Sequence, residues 1–362
     1  MSLPPRELIR NLDAYHAPEE GRLGQARLDF CEWTGPLHAT LQAALASITP
    51  EQITAYPEYG AFTSRLAGYL DTSADCVLPT NGSDEALNLC VQGWVDPGQR
   101  MVIVQPTFSM IPNYMRMHAA EPVPVSLVRV SGEDGAAGGW AFNLPAIRDA
   151  LRERGVRGLM VPSPNNPTGS WCDPQLWLDI AREFPDRLIV IDEAYAEFAP
   201  SRIGSRGVAL PNLIVTGTFS KALGLAGLRL GWAMANPAAI GTLRKIRSPY
   251  SVNAVAVHLA TALLDAPQLI SEQVSAVRRG LDALVSGLGE LGVPVYRGKS
   301  NAVLADFGDD AARITEALAK RRILVRDLSR VPLIAGCVRI NAGTPEQTTQ
   351  LLAALKELLA AG

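Results

Sequence analysis

The sequence predicts an α/β protein: a mainly parallel, seven-stranded sheet with helices on both faces, joined to a smaller α+β part. Three observations predict it. Seven short apolar runs recur between residues 76 and 235, namely CVLP (76–79), MVIVQ (101–105), EPVPVSLV (121–128), RGLMVPS (157–163), RLIVID (187–192), NLIVTGT (212–218) and LRLGWAMA (228–235). Helical patterns lie between most of them, and strands alternating with helices build a parallel sheet covered on both sides. After Pro237 the pattern changes to long helical stretches and short strands. The 362 residues, 48% hydrophobic and 19% charged, suffice for a large core and more than one domain.

In chain order, residues 1–35 are mixed and polar, broken by Pro4, Pro5, Pro18 and Gly21, and read as an arm packed on another part of the molecule. Residues 38–48 and 62–70 have helical patterns, with the loop AYPEYG (55–60) between them. The Gly-rich stretch SGEDGAAGGW (131–140) breaks the alternation and reads as a surface excursion without chemistry. Helical patterns cover 238–246, 252–264, 267–291, 309–321 and 345–359. Strands are expected at VPVY (293–296), AVLADF (302–307), ILVR (323–326) and CVRIN (337–341). The division expected is an N-terminal arm and part of the small domain over 1–50, a large domain over 51–245, and a small α+β domain over 246–362.

At a net charge of −3 there is no strong basic excess, so nucleic acid is not the expected partner. Five cysteines are scattered without a CxxC pair, and no His lies nearby at zinc spacing, so no metal site is expected and a reducing cytoplasm is. The N-terminus lacks an apolar signal core, and no apolar run approaches the ~18 residues that a membrane span needs.

In open α/β sheets ligands bind beyond the carboxyl ends of the strands, so the residues following each run carry the functional reading. The stretch TGTFSKALGLAGLRLGW (216–232) holds one lysine, Lys221, and one arginine, Arg229, among small and apolar neighbours. Such surroundings lower a lysine pKa, and a partly neutral lysine can hold an aldehyde as a Schiff base. Thr218 and Ser220 offer hydroxyls, and Arg229 can pair with a phosphate. Together these point to pyridoxal phosphate; the blander alternative is a buried strand and turn with a snorkelling lysine. After 76–79 comes NGSDEA (81–86), where Gly82 and Ser83 open a helix whose first amides can bind phosphate. The same residues also read as an ordinary cap, with Ser83 capping and Asp84 complementing the helix dipole. Phe108, in PTFSM, can stack on a flat ring or fill the core. Asn166, in PNNPTG, can reach a ligand hydroxyl, and Asn166–Pro167 is a candidate cis bond. Asp192 ends an apolar strand, where a carboxylate needs a partner; a pyridinium nitrogen would supply one, and Tyr195 can reach the ring hydroxyl.

Taken together, YPEYG, NGSDEA, PTFSM, SPNNPTG, DEAYAEF, TFSKALGLAGLRLGW and VRINAGT resemble the class I/II, fold-type I pyridoxal-phosphate aminotransferases, and within them the histidinol-phosphate aminotransferase group. The resemblance implies an aspartate-aminotransferase-like large domain. It implies Lys221 as the Schiff-base lysine, Asp192 on the pyridine nitrogen, Tyr195 and Asn166 on the ring oxygen, and Phe108 on the ring face. Gly82, Ser83, Asp84, Thr218, Ser220 and Arg229 would surround the phosphate. Tyr56 resembles a tyrosine that reaches the phosphate of a neighbouring subunit, which implies a homodimer with shared sites. Arg339 resembles the arginine that grips a substrate carboxylate or phosphate, Arg326 a second anion-binding arginine, and Tyr15 a pocket-lining residue. Many members carry Asn-Glu-Asn where this chain has Cys31, Glu32 and Trp33. The implied reaction is transamination between an amino donor, histidinol phosphate first, and 2-oxoglutarate/glutamate. Aromatic amino acids as donors and phosphothreonine decarboxylation are the alternatives.

Overall fold

The computed structural model describes residues 3–10, 12, 14, 20–132 and 138–360. Fourteen strands occur among them: β1 Ala26–Leu28, β2 Val77–Thr80, β3 Arg100–Gln105, β4 Glu121–Ser126, β5 Val128–Val130, β6 Gly139–Ala141, β7 Val156–Pro162, β8 Leu188–Asp192, β9 Leu213–Thr218, β10 Gly231–Met234, β11 Val295–Arg297, β12 Ala302–Asp306, β13 Ile323–Asp327 and β14 Cys337–Asn341.

Seven of them form one sheet in the order β2-β10-β9-β8-β7-β3-β4. All neighbours are parallel except β10, which runs antiparallel to both β2 and β9. The run at 228–235 yields strand only from Gly231, because Ala226–Leu228 is a 3₁₀ turn and Arg229 is left-handed at φ 52°. Side chains alternate between two buried faces, as period-two geometry requires. Val102, Val104, Leu159, Val161, Ile189 and Ile191 join one core cluster, while Met101, Ile103, Met160 and Val190 join a second on the opposite face. The second is closed by the helix Gly82–Trp94, through Ala86, Leu87, Cys90 and Val91.

A five-stranded sheet follows in the order β1-β13-β14-β12-β11. Strand β1 comes from the segment expected to be an arm. It pairs parallel to β13, Ala26 opposite Ile323 and Leu28 opposite Val325. Three residues are too few to show a strand period in sequence. Helices Ala311–Lys320 and Pro345–Ala360 and the long helix Gln268–Glu290 pack on this sheet through Ile314, Leu318, Leu351, Leu355, Leu281 and Leu284. Those residues belong to the same core cluster as one face of the larger sheet, so the two sheets share a continuous apolar interior. The expected run at 121–128 divides into β4, in the larger sheet, and β5, which pairs with β6 in a separate hairpin around the Gly-rich stretch. Among the described residues no single helix is long and apolar enough to cross a membrane.

Candidate active site

Strands β7, β8 and β9 are hydrogen-bonded neighbours, with Asp192 opposite both Pro162 and Thr216. Their carboxyl ends therefore lie side by side. The loop after β7 brings Asn166, the last residue of β8 is Asp192, and the end of β9 brings Thr218, Ser220 and Lys221 into one cavity of about 900 Å³.

Asp192 is buried. Its Oδ1 accepts from the Thr216 hydroxyl at 3.0 Å and from the Ala194 amide at 3.2 Å. Oδ2 has no hydrogen-bond partner among the described residues, although Asp192 lines the cavity. Burial pushes the carboxyl up to about 7, with the Asp84 charge adding and the two hydrogen bonds and Lys221 opposing. A carboxylate kept at such a position calls for a cationic or N–H partner.

The Lys221 ammonium is pushed below its ordinary range, first by burial and then by Arg339 and Arg229, against Cys31 and Glu32. Its Nζ donates to the Phe30 carbonyl at 2.8 Å and lies 5.9 Å from the Tyr195 ring centroid. Tyr195 is buried, and its phenol is pushed well up by burial and by the adjacent Cys31 thiol.

At the other end of the cavity the helix begins at Gly82, not after Ser83. Its N-cap is Asn81, which makes no side-chain cap bond. The expectation that Ser83 caps this helix is therefore corrected: Ser83 sits in the first turn and faces the cavity. First-turn amides without a side-chain cap are anion-binding groups. Arg229, held left-handed, donates to Ser220 Oγ at 3.3 Å and to Asp84 Oδ2 at 3.1 Å. Thr218 Oγ1 donates to Ser220 Oγ at 3.0 Å and accepts from the Ser220 amide at 3.1 Å. Gly82 has φ +74°, and a Cβ there would stand 2.9 Å from Arg229 Nη2. Any side chain at 82 would fill this cradle. The cradle and the acceptor Oδ2 of Asp192 fit the phosphate and the protonated ring nitrogen of pyridoxal phosphate, and Lys221 in the same cavity fits its aldehyde.

The facing wall comes from the smaller sheet and the N-terminal segment. Arg339, on β14, donates to Asn166 Oδ1 at 2.5 Å and to the Asp29 carbonyl at 2.6 Å. Arg326, opposite Arg339 in register, places its guanidinium 5.6 Å from the Phe30 ring centroid. It has no ion pair among the described residues. Arg22 covers Phe30 at 4.5 Å and pairs with Asp29 at 2.6 Å and Glu32 at 2.8 Å; Arg27 reaches Glu32 at 3.4 Å.

Phe108 lines the cavity while packing against the second core cluster. The Asn166–Pro167 bond is cis. Tyr56 lies away from the cavity, 76% exposed and stacked on Tyr250 at 4.4 Å. Tyr15 lies outside the described residues. Sequence reasoning missed Thr216, which donates to Asp192. It also missed Tyr114, whose hydroxyl donates to Asp84 at 2.9 Å, and the cavity-lining residues Arg22, Phe30, Leu328 and Val331. Thr216 was legible, since its register opposite Asp192 follows from pairing the two runs; the others depend on tertiary contacts with no local signal.

Residues 22–355 match the family described as aminotransferase class I and II. The chain is 34% identical to a histidinol-phosphate aminotransferase of Symbiobacterium thermophilum, over 91% of this chain and 88% of that one. It is 32% identical to a histidinol-phosphate aminotransferase of Cronobacter sakazakii, over 97% and 95%. The crystal structure of the Sinorhizobium meliloti histidinol-phosphate aminotransferase in complex with pyridoxal-5'-phosphate superposes with a TM-score of 0.87 at 23% identity. It covers 100% of this chain and 99% of that one, a likeness of fold. A family match over most of the length, agreeing with the arrangement at the ends of β7, β8 and β9, places this chain among the class I and II aminotransferases.

Proposed function

We propose that the chain is a pyridoxal-phosphate-dependent transaminase whose amino donor is histidinol phosphate and whose acceptor is 2-oxoglutarate. The observation that carries this reading is the pair Asp192 and Lys221: a buried carboxyl with a free acceptor oxygen and a half-buried amine, in one cavity at adjacent strand ends. Asp192 would hold the ring nitrogen, Tyr195 and Asn166 the ring oxygen, and Phe108 the ring face. Gly82, Ser83, Thr218, Ser220 and Arg229 would hold the phosphate, with Asp84 bracing Arg229. Bound pyridoxal phosphate supplies a sink for the electron pair left when a substrate Cα–H bond breaks.

The residues of the chain do the rest. Lys221 carries the cofactor. Its Nζ, when free, would take the substrate Cα proton and return it, and the lowering of its pKa by burial favours that basic role. Asp192 keeps a proton on the ring nitrogen, because an ion pair there relieves the cost of its own burial. Arg339 orients a substrate carboxylate or phosphate from the wall, and Arg326 is the second anion site. Its guanidinium, stacked on Phe30 and without a carboxylate partner, is available to a phosphate in a way that Arg22 and Arg27 are not.

We further propose a homodimer in which Tyr56 serves the partner's site. Its exposed stack with Tyr250, close in sequence to the exposed Ile53 and Leu45, supports this. We also propose the division into an N-terminal arm and part of the small domain over 1–50, a large domain over 51–245 and a small domain over 246–362; the two separate sheets, with β1 in the second, support it. A cytoplasmic setting is supported by five free cysteines.

The test is a single-turnover panel. Yellow enzyme is mixed in turn with histidinol phosphate, phenylalanine, tyrosine and phosphothreonine, and the loss of the cofactor's aldehyde absorbance is followed. Fastest conversion with histidinol phosphate is expected. Faster conversion with phenylalanine or tyrosine assigns the enzyme to aromatic donors, and carbon dioxide released from phosphothreonine without a keto acid assigns it to decarboxylation.

A further inference from the structure

The Gly-rich stretch expected to lack chemistry is bracketed by the hairpin β5–β6, and each strand carries a side chain that reaches the smaller sheet. The Arg129 guanidinium lies between two rings, 4.5 Å from the Trp140 centroid and 4.4 Å from that of Tyr296. It also donates to the Tyr296 hydroxyl at 2.7 Å. The two rings are buried and meet edge to face at 4.9 Å. Trp140 and Arg129 stand on the hairpin, whereas Tyr296 stands on β11, and its hydroxyl donates to Asp306 Oδ2 at 3.2 Å.

Trp140 makes two further bonds. Its carbonyl accepts from the Ser170 hydroxyl at 2.7 Å, and Ser170 meets Thr168 Oγ1, which accepts from Asn165 Nδ2 at 2.8 Å, next to the cofactor-side Asn166. Its indole Nε1–H donates to the Leu333 carbonyl at 3.2 Å. Leu333 is left-handed, φ 70°, and 47% exposed. A leucine holds that conformation only where its surroundings impose it, and the Trp140 bond grips its carbonyl. Leu333 belongs to the 328–336 loop, which turns on Val331 N–H to Leu328 O (2.9 Å) and Ile334 N–H to Val331 O (3.3 Å). Leu328 and Val331 line the cavity beside Arg326.

We propose that the β5–β6 hairpin is a positioning element for the substrate side of the cavity: Arg129 and Trp140 fix the 328–336 loop, and through it Leu328 and Val331, against the amino donor. This rests on the transaminase reading. Neither residue lines the cavity, so both act through the loop.

The test uses holoenzyme with Trp140→Phe, which keeps a ring and removes the indole donor, and with Arg129→Met, which keeps the stem and removes the charge. Expected in both are a KM for the amino donor raised about 5–10-fold with kcat within about twofold, and an unchanged cofactor absorbance band. Hydrogen exchange at the Val331 and Ile334 amides should quicken about tenfold while the amides of β8 do not change. Arg129→Lys, which keeps a cation over the rings, should restore KM most of the way. Unchanged KM and unchanged Val331 and Ile334 exchange in both variants would overturn the proposal. So would a loss of protection that includes β8 together with loss of the cofactor, which would make the hairpin a general brace. Wild-type enzyme that converts no amino donor, while the loop still loosens on substitution, would sink the transaminase reading and leave the loop's positioning standing.

Discussion

On the floor of the cavity, Asp192 and Thr218 end two neighbouring strands, and Asn166 stands in the loop after a third that pairs with the first. On its wall, Arg22, Arg326 and Arg339 reach in from the N-terminal segment and the smaller sheet, and ion pairs and ring contacts set their positions. The floor is fixed by backbone register, which a buried sheet specifies strongly because a one-residue slip would turn every side chain to the other face. The wall is fixed by long side chains that hold one another: Arg22 serves Asp29, Glu32 and Phe30 at once, and Glu32 serves two arginines. A rigid floor suits a group that every turnover reuses. A wall of exchangeable charge contacts suits the part of the site that chooses the donor.

Substitutions test that contrast, the floor responding in kcat and the wall in KM. The largest effect is expected on the floor: Lys221→Ala should lower single-turnover rate constants by about 10⁴-fold or more and abolish the absorbance of the lysine Schiff base, with the fold retained by circular dichroism. Asp192→Asn should lower kcat by on the order of 10³-fold, since an amide cannot hold a cation on the ring nitrogen.

The same variant has a signature in stability. Burial pushes the folded Asp192 carboxyl up to about 7 from an ordinary 3.8. In that window the folded, cofactor-free protein binds more protons than the unfolded chain, so its stability falls as pH rises. Asp192→Asn removes this share, and its stability relative to wild type should improve by on the order of 4 kcal/mol between pH 3 and pH 8, read by chemical denaturation of cofactor-free protein. Glu193, also pushed up to about 7 by burial, keeps the same sign in both proteins.

On the wall, Arg326→Ala should raise KM for histidinol phosphate about 10–50-fold and that for phenylalanine less than about twofold. Equal effects on both would remove the phosphate site from Arg326. The smallest effect is expected one contact behind the cradle: Tyr114→Phe deletes the 2.9 Å bond that steadies Asp84, and with it Arg229. It should weaken cofactor binding about threefold, read by absorbance titration, and leave donor selectivity alone.

The same contrast explains what could be read from the sequence. The floor was legible because each group follows an apolar run, and seven such runs in alternation with helices fix where strands end; Asp192 after RLIVI and Lys221 after NLIVTGTFS needed no tertiary information. The cap lies two residues earlier than expected because Ser83 has the composition of a cap, yet Asn81 takes that place and the left-handed Gly82 opens the helix. The wall was less legible. Strand β1 has three residues, and Phe30 and Arg22 gain their positions only through β1 pairing with β13. The stretch 131–140 reads as a surface excursion on its glycines, yet Trp140 within it bonds Leu333 and, with Arg129 just before it, packs on Tyr296.

Holoenzyme reduced with borohydride and digested should yield a pyridoxyl group on the peptide containing Lys221 and none on Lys245, Lys299, Lys320 or Lys356. A label on any of those four instead, or a fully loaded enzyme that gives no labelled peptide at all, would contradict the account.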